Sequence, residues 1–462
     1  MVAVYCGVFG WLTWHQQANY GTFGFDMGIH DQGIWLLSRL RTPFVTVRGL
    51  HYLGHHLNLI SVAFVPLYWL GGGPGLLYLV QTVALGAGAV PVYLLARDRL
   101  GEATLALVPA GAYLLYPSLG WVNWWHFHPE TLAIAPLLMA VWLAGRRRWG
   151  WFALCVGLAL STKEDVALAV AVLGLVLAWG VARRPGLVTA AAGAGWYLLA
   201  TQVVMPAFNG GGQPFYAQEF FPQFGDSTAS VISGMLSQPG LVWELLSERS
   251  RIEYYVRLLA PSGFLALVGL PFLVIAGPQL AANALTSFST AHDFRFHYTV
   301  IPIVGVFLGT VQGLAVLRRW RPALAQLGLV VLVASALVSH RQWSPSPLGR
   351  EFDSGIWAQR QARHDQFDRV VARVPAAAGV SASYSLVPHL THRVKIYEWP
   401  NPWLTGNWGI ADRQPHDPAG VDYLVLDLTL AQEPALVESL VGRGGDFEVL
   451  SERQSVLLAR RR

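Results

Sequence analysis

Apolar residues run along the first 340 positions in stretches that approach or reach the ~20 residues a helix needs to cross a bilayer, with polar residues gathered between them. A membrane β-barrel would instead alternate polar and apolar positions over short segments. The pattern predicts an all-α polytopic membrane bundle. A first helix is expected over 1–18, and the polar continuation from His15 to Asp31 opens a loop. A short amphipathic helix is expected over 26–39. The run 57–70 is short for a span, is interrupted by Pro66 and ends in Gly71-Gly72-Gly73-Pro74, so it is assigned to the interface or to a re-entrant helix. Further helices are expected over 75–96, 103–120, 130–145, 149–161, 165–182, 187–206, 257–277, 278–290, 296–317 and 322–340, giving about eleven in all.

Between 209 and 255 the pattern predicts a polar loop that begins flexibly at Asn209-Gly210-Gly211-Gly212-Gln213-Pro214. After His340 the apolar runs shorten and charge rises. Segments 380–383, 395–399, 422–428 and 447–450 read as strands, and 353–374 and 431–441 as helices. The expected division is a membrane domain, 1–340, and a small α/β domain, 341–462, outside the membrane.

Composition agrees: 53% of the residues are hydrophobic and 13% charged, with a mean hydropathy of +0.41. The net charge of +5 does not point to nucleic acid, because the basic residues stand in short clusters at segment ends. These are Arg97-Asp98-Arg99, Arg146-Arg147-Arg148, Arg183-Arg184 and Arg318-Arg319-Trp320-Arg321. With the amino terminus in the cytoplasm all four fall on the cytoplasmic side, as the positive-inside rule requires. The first loop, the turn at Trp124–Glu130, Lys163–Asp165, the 209–255 loop, His292–Tyr298 and everything after His340 then face outward. Cys6 and Cys155 both lie in apolar segments and form no disulfide framework or zinc motif. No basic region precedes residues 2–14, which read as an uncleaved helix rather than a signal peptide. Most of the 19 tryptophans read as an interface belt.

Ionisable groups are costly in a bilayer and usually face a cavity or one another. Asp26 opens an expected helix and is a natural N-cap, but that role leaves Asp31 unexplained. His30 follows Asp26 by four residues and shares its helical face. Lys163, Glu164 and Asp165 form either a solvated turn between two short helices or a phosphate site in which a carboxylate holds the lysine. His51, His55 and His56 precede the 57–70 run. His126, His128 and Glu130 share one turn, and His292, Asp293, Arg295 and His297 share another. Histidine with carboxylate is metal-ligand chemistry, yet none of these spacings is a metal signature. A divalent metal is the lesser reading and a lipid phosphate the better one. No cofactor motif appears.

Phe25-Asp26-Met27-Gly28-Ile29-His30-Asp31-Gln32, His128-Pro129-Glu130, Lys163-Glu164-Asp165-Val166-Ala167 and His297-Tyr298 resemble motifs of the bacterial membrane-protein family called domain of unknown function 2079. Ser381-x-Ser383 with Pro388-His389-Leu390 and Arg393 resembles its later motif. That family's layout is similar to the GT-C glycosyltransferases of the protein mannosyltransferase and aminoarabinose transferase types. Pro66-Leu67-Tyr68-Trp69, Leu94-Leu95-Ala96-Arg97 and Leu160-Ser161-Thr162-Lys163 look like the corresponding short motifs.

The resemblance implies a polyprenyl-phosphate-linked sugar as donor, membrane lipid around it and an unidentified acceptor on the outer side. It implies inverting transfer, with Asp26 as general base and Asp31 and His30 orienting it. Lys163 with Arg295 or His297 would stabilise the leaving phosphate. Glu164, Asp165, His55, His56, His128, Glu130 and Tyr298 would complete the substrate site. The rival expectation is a transporter or flippase of lipid or sugar that uses the same polar cavity without breaking a bond.

Overall fold

The computed structural model describes residues 1–211, 219–410 and 415–462. Among them four helices are long and apolar enough to cross a membrane: Pro74–Leu100, Arg183–Phe208, His297–Trp320 and Pro322–Trp343. Ala103–Leu114 and Pro117–Trp124 make a fifth candidate, bent by 42° where Pro117 interrupts the hydrogen-bond ladder. The other expected spans are shorter apolar helices, among them Trp149–Leu160, Val166–Gly180 and the composite Pro129–Gly145. The helical bundle is therefore present; among the described residues four or five helices are full-length candidate spans, and length and composition do not confirm the expected eleven or so.

Two expectations are corrected. The expected helix over 257–277 is broken into Leu265–Val268, Leu270–Leu273 and a short turn, Val274–Ala276. Gly263 and Phe264 both adopt positive φ, and Pro271 lacks an amide donor. The break also lets this segment lie flat on the central helix: a Cβ on Gly269 would sit 2.0 Å from the Gly309 carbonyl oxygen. The 209–255 segment, expected as a loop, is largely helical where it is described. Thr228–Ser237 and Pro239–Ser247 lead into Arg249–Leu259, which buries Tyr254 and Leu258. Its glycine-rich start lies partly outside the described residues, at 212–214.

His297–Trp320 is the axis of the bundle, with 83% of its apolar window buried, against 22% for Arg183–Phe208. Small residues permit this close packing. Gly174 and Gly186 do the same at the rim, where an added Cβ on either would lie 2.2 Å from a backbone nitrogen of the facing helix.

The first loop forms a small antiparallel pair, β1 (Phe44–Val45) and β2 (Leu50–His51), and the carboxyl-terminal segment carries a five-stranded sheet. β3 (Val380–Ala382) pairs in parallel with β4 (Ile396–Glu398) and β5 (Tyr423–Asp427). β7 (Val456–Arg461) pairs antiparallel with β5 and with β6 (Phe447–Arg453). The sheet order is β4-β3-β5-β7-β6. β7 escaped the sequence reading because Gln454 and Ser455, both at positive φ, make the tight turn without the usual Asn-Gly signal. The expected helices are shorter, Ala362–Ala372 and Pro434–Val441.

One apolar core joins this sheet to the first loop. Met27, Ile29, Ile34, Val47 and Tyr52 pack with Val380, Ala382, Val387, Ile396 and Val425. Polar bonds run through the same contact. Thr46 Oγ1 donates to the Ile396 carbonyl at 2.7 Å, and Gln32 Nε2 donates to the Val394 carbonyl at 3.2 Å.

Candidate active site

A cavity of about 910 Å³ opens between the first loop, the histidine turn after Trp124 and the membrane helices. Its first wall is the segment 24–38, which enters as a wide helical turn, Gly24–Gly28, and continues as the α-helix Ile29–Ser38. Asp26 and His30, four residues apart, both face the cavity. Asp26 makes no N-cap hydrogen bond, so the cap role does not apply. Its carboxylate lies 3.6 Å from His126 Nδ1 and 3.7 Å from His128 Nε2 and is 29% exposed. Burial opposes its ionisation, but the two imidazoles outweigh burial and hold the carboxyl well below the ordinary aspartate value. His30 bonds Tyr52 through Nδ1 at 3.0 Å. Burial and the neighbouring His128 push its imidazole down to about 3, so it is neutral at physiological pH.

The opposite wall is the turn between Trp149–Leu160 and Val166–Gly180. Lys163 Nζ donates to Glu130 Oε1 at 3.1 Å and lies 3.4 Å from Asp165 Oδ2. Glu164 does not reach for the lysine. It accepts from His56 Nδ1 at 2.8 Å and from the Leu57 amide at 2.9 Å, and so ties this turn to the chain before the short interfacial helix. The His128 and His297 rings stack between the walls, 3.8 Å apart and 19° from parallel. His55, His56, Glu130 and Tyr298 also belong to the polar lining. Leu168, Ala169, Ala282 and Ile301 give the cavity an apolar side formed by membrane helices. Among the described residues no group of three or more His, Cys, Asp or Glu is arranged to hold a metal ion.

Two candidates stand elsewhere. Asp31 is fully buried on the opposite face of its helix, because positions five apart at 3.6 residues per turn are about 140° apart. It accepts from Tyr68 at 2.5 Å and from the Thr391 hydroxyl, and lies 3.2 Å from His392 Nε2. It anchors the carboxyl-terminal segment. Arg295 forks onto Asp293 at 2.6–3.0 Å, lies over Trp121 and does not line the cavity.

The sequence reading missed Arg48. Its guanidinium donates to the carbonyls of Asn407 and Gly409 and lies 3.9 Å from Glu219, so the first loop, the sheet segment and the 219–221 segment meet at the cavity rim. Only the pairing of distant loops makes it a site residue. Glu398, at the end of β4, was also missed. Burial and the Asp26 charge push its carboxyl up to about 7.

A family model described as "Predicted membrane protein (DUF2079)" matches residues 18–446. The chain belongs to that family. This family member shares its fold with ArnT from Cupriavidus metallidurans, a structure solved bound to undecaprenyl phosphate, at a TM-score of 0.55 and 13% identity. The match covers 99% of this chain and 97% of that one. The arabinofuranosyltransferase AftD from Mycobacteria matches at a TM-score of 0.47 and 15% identity, over 99% of this chain and 39% of that one. The oligosaccharyltransferase of Archaeoglobus fulgidus matches at 0.41 and 12%, over 96% and 72%. No match is found among curated proteins. At such identities the ArnT likeness is one of fold alone, and function rests on the site itself.

Proposed function

We propose that this membrane protein is an inverting glycosyltransferase. It moves a sugar from a polyprenyl-phosphate donor to a hydroxyl acceptor on the extracytoplasmic side. The observation that carries the reading is one cavity with a carboxyl group, Asp26, on one wall and a buried lysine, Lys163, on the other. The chemistry needs both. Asp26 aligns the acceptor hydroxyl and draws on its proton. Lys163 and Arg48 supply positive charge where the phosphate leaves. Leu168, Ala169, Ala282 and Ile301 offer an apolar wall to a prenyl chain. A fold shared with a protein solved in complex with undecaprenyl phosphate supports that donor class.

The outward orientation rests on charge. Arg146 bonds Asp98 at 2.8 Å and Arg318 donates to the Arg99 carbonyl, so three of the basic clusters gather at one end of the bundle. With that end in the cytoplasm, the cavity and the carboxyl-terminal sheet face outside. A Cys6→Ser, Cys155→Ser protein carrying Ser439→Cys, an exposed helical position, tests this. The thiol is expected to react with an impermeant reagent in intact cells. Labelling only after lysis overturns the orientation.

The reaction is tested with the purified protein in lipid nanodiscs and a panel of polyprenyl-phosphate pentoses and hexoses. The expected result is release of polyprenyl phosphate together with a glycosylated acceptor. Movement of an intact lipid-linked sugar between leaflets, with no bond cleaved, would replace this reading by a flippase.

A further inference from the structure

His128 lines the cavity at the point where its two walls meet, and its two ring nitrogens have different surroundings. Nδ1 lies 3.2 Å from the Trp125 carbonyl oxygen, an atom that only accepts, so Nδ1 carries a proton. Nε2 is therefore the nitrogen that gains or loses one. It has no hydrogen-bond partner, and the side chain is only 6% exposed. The Asp26 Oδ1 atom lies 3.7 Å from it, too far for a direct bond. Asp26 Oδ1 and the unprotonated Nε2 are both acceptors, so an acceptor hydroxyl approaching them has one proton for which the two compete.

We infer that His128 Nε2 is the final acceptor of the proton released in the transfer step, with Asp26 aligning the hydroxyl and then pairing with the imidazolium. This rests on the transferase reading above. The bond between the sugar's anomeric carbon and the acceptor oxygen forms. The bond between that carbon and the phosphate oxygen breaks, and its electron pair leaves with the phosphate toward Lys163. The acceptor's proton moves to Nε2. Asp26 is poorly suited to keep that proton, because its neighbours hold it ionised far into acid. Burial lowers the proton affinity of His128, but Asp26 and, less strongly, Glu130 together more than reverse this, and the ring ends above its ordinary 6.5. The titratable and charged groups facing the ring are Asp26 and His30 from the first loop, Glu130 beside it, Lys163 from the opposite turn and His297 stacked on it.

Two measurements on the full chain in nanodiscs test this. The first is the pH titration of 15N-histidine spectra, in which the His128 signal is the one lost in His128→Gln. Its Nε2 is expected to titrate above 6.5 in the wild type, and to bind a proton about tenfold more weakly, one pKa unit, in Asp26→Asn. An unchanged titration in Asp26→Asn overturns the coupling, whatever the protein catalyses.

The second is the pH profile of kcat/KM on a polyprenyl-phosphate pentose or hexose. The wild type is expected to lose rate as pH falls through the pKa seen in the spectra. His128→Gln is expected to fall about 10²–10⁴-fold and to lose that acid limb while keeping donor KM and thermal stability. A wild-type rate that stays flat between about pH 5 and 9, or an acid limb that survives in His128→Gln, overturns His128 as proton acceptor. A coupled titration in a protein that turns over no lipid-linked sugar rejects the transferase reading, and with it the proton transfer, but leaves the pairing of Asp26 with His128 in place.

Discussion

Asp26 and Asp31 stand five residues apart on one segment, yet their surroundings differ in kind. Asp26 faces a cavity, with two imidazoles near it and neither at hydrogen-bonding distance. Asp31 is sealed from solvent, and its oxygens are taken by Tyr68, Thr391 and His392. A buried polar group with all its partners fixes a structure, whereas one held short of its partners is available to a ligand. The comparison teaches that burial and charge alone do not mark a catalytic carboxylate. The unmet hydrogen-bonding capacity is what singles out Asp26 as the candidate.

The largest expected effect breaks the symmetry of the pair. Asp26→Asn is expected to cut sugar transfer about 10²–10⁴-fold and leave thermal stability near wild type, because no cap or network is lost. Full turnover in this variant would remove the catalytic assignment. Lys163→Met comes next. It leaves the buried Glu130 and the half-buried Asp165 without their cation, an expected loss of about 3–5 kcal/mol in denaturation measurements, together with weaker donor binding. Adding Glu130→Gln is expected to recover part of the stability and none of the donor affinity. Recovery of both would make the lysine purely structural.

On the other face, Asp31→Ala strands the Tyr68 hydroxyl and leaves the Thr391 hydroxyl only its longer bond to the Pro388 carbonyl, at 3.3 Å. It is expected to cost about 1–3 kcal/mol for each buried group left unpaired and to loosen the carboxyl-terminal segment from the first loop. Protease sensitivity near residue 391 reads this out. Donor affinity that falls as far as in Lys163→Met would place Asp31 in the site after all.

The smallest effect is pH-dependent. Glu398 is raised from 4.5 to about 7 in the folded chain, so the folded state binds its proton more tightly than the unfolded state does. Its contribution is fully present below 4.5 and is lost as pH rises through about 7. Glu398→Gln, always neutral, is expected to be more stable than wild type at pH 8 and equal to it at pH 4. An identical slope in both proteins would mean that the carboxyl is hydrated in solution.

The apolar bundle, the change of character after residue 340 and most of the residues that line the cavity were legible in the chain alone. Long apolar runs admit few structures in a bilayer, because every backbone polar group there must be satisfied within the helix. Ionisable residues are scarce in such a chain, so His30, Glu130, Lys163 and His297 were visible as exceptions. Helical spacing also placed His30 beside Asp26. The same 3.6-residue period turns Asp31 away, but which face met the cavity depended on where the carboxyl-terminal sheet docked. That Arg295 turns back onto Asp293 and that Arg48 reaches the rim emerged with the folded chain. It also broke the expected 257–277 helix against a glycine face of the central helix. The Arg48 and Gly269 contacts, and the seat of Arg295 over Trp121, join residues tens to hundreds of positions apart, and local periodicity carries no record of such contacts.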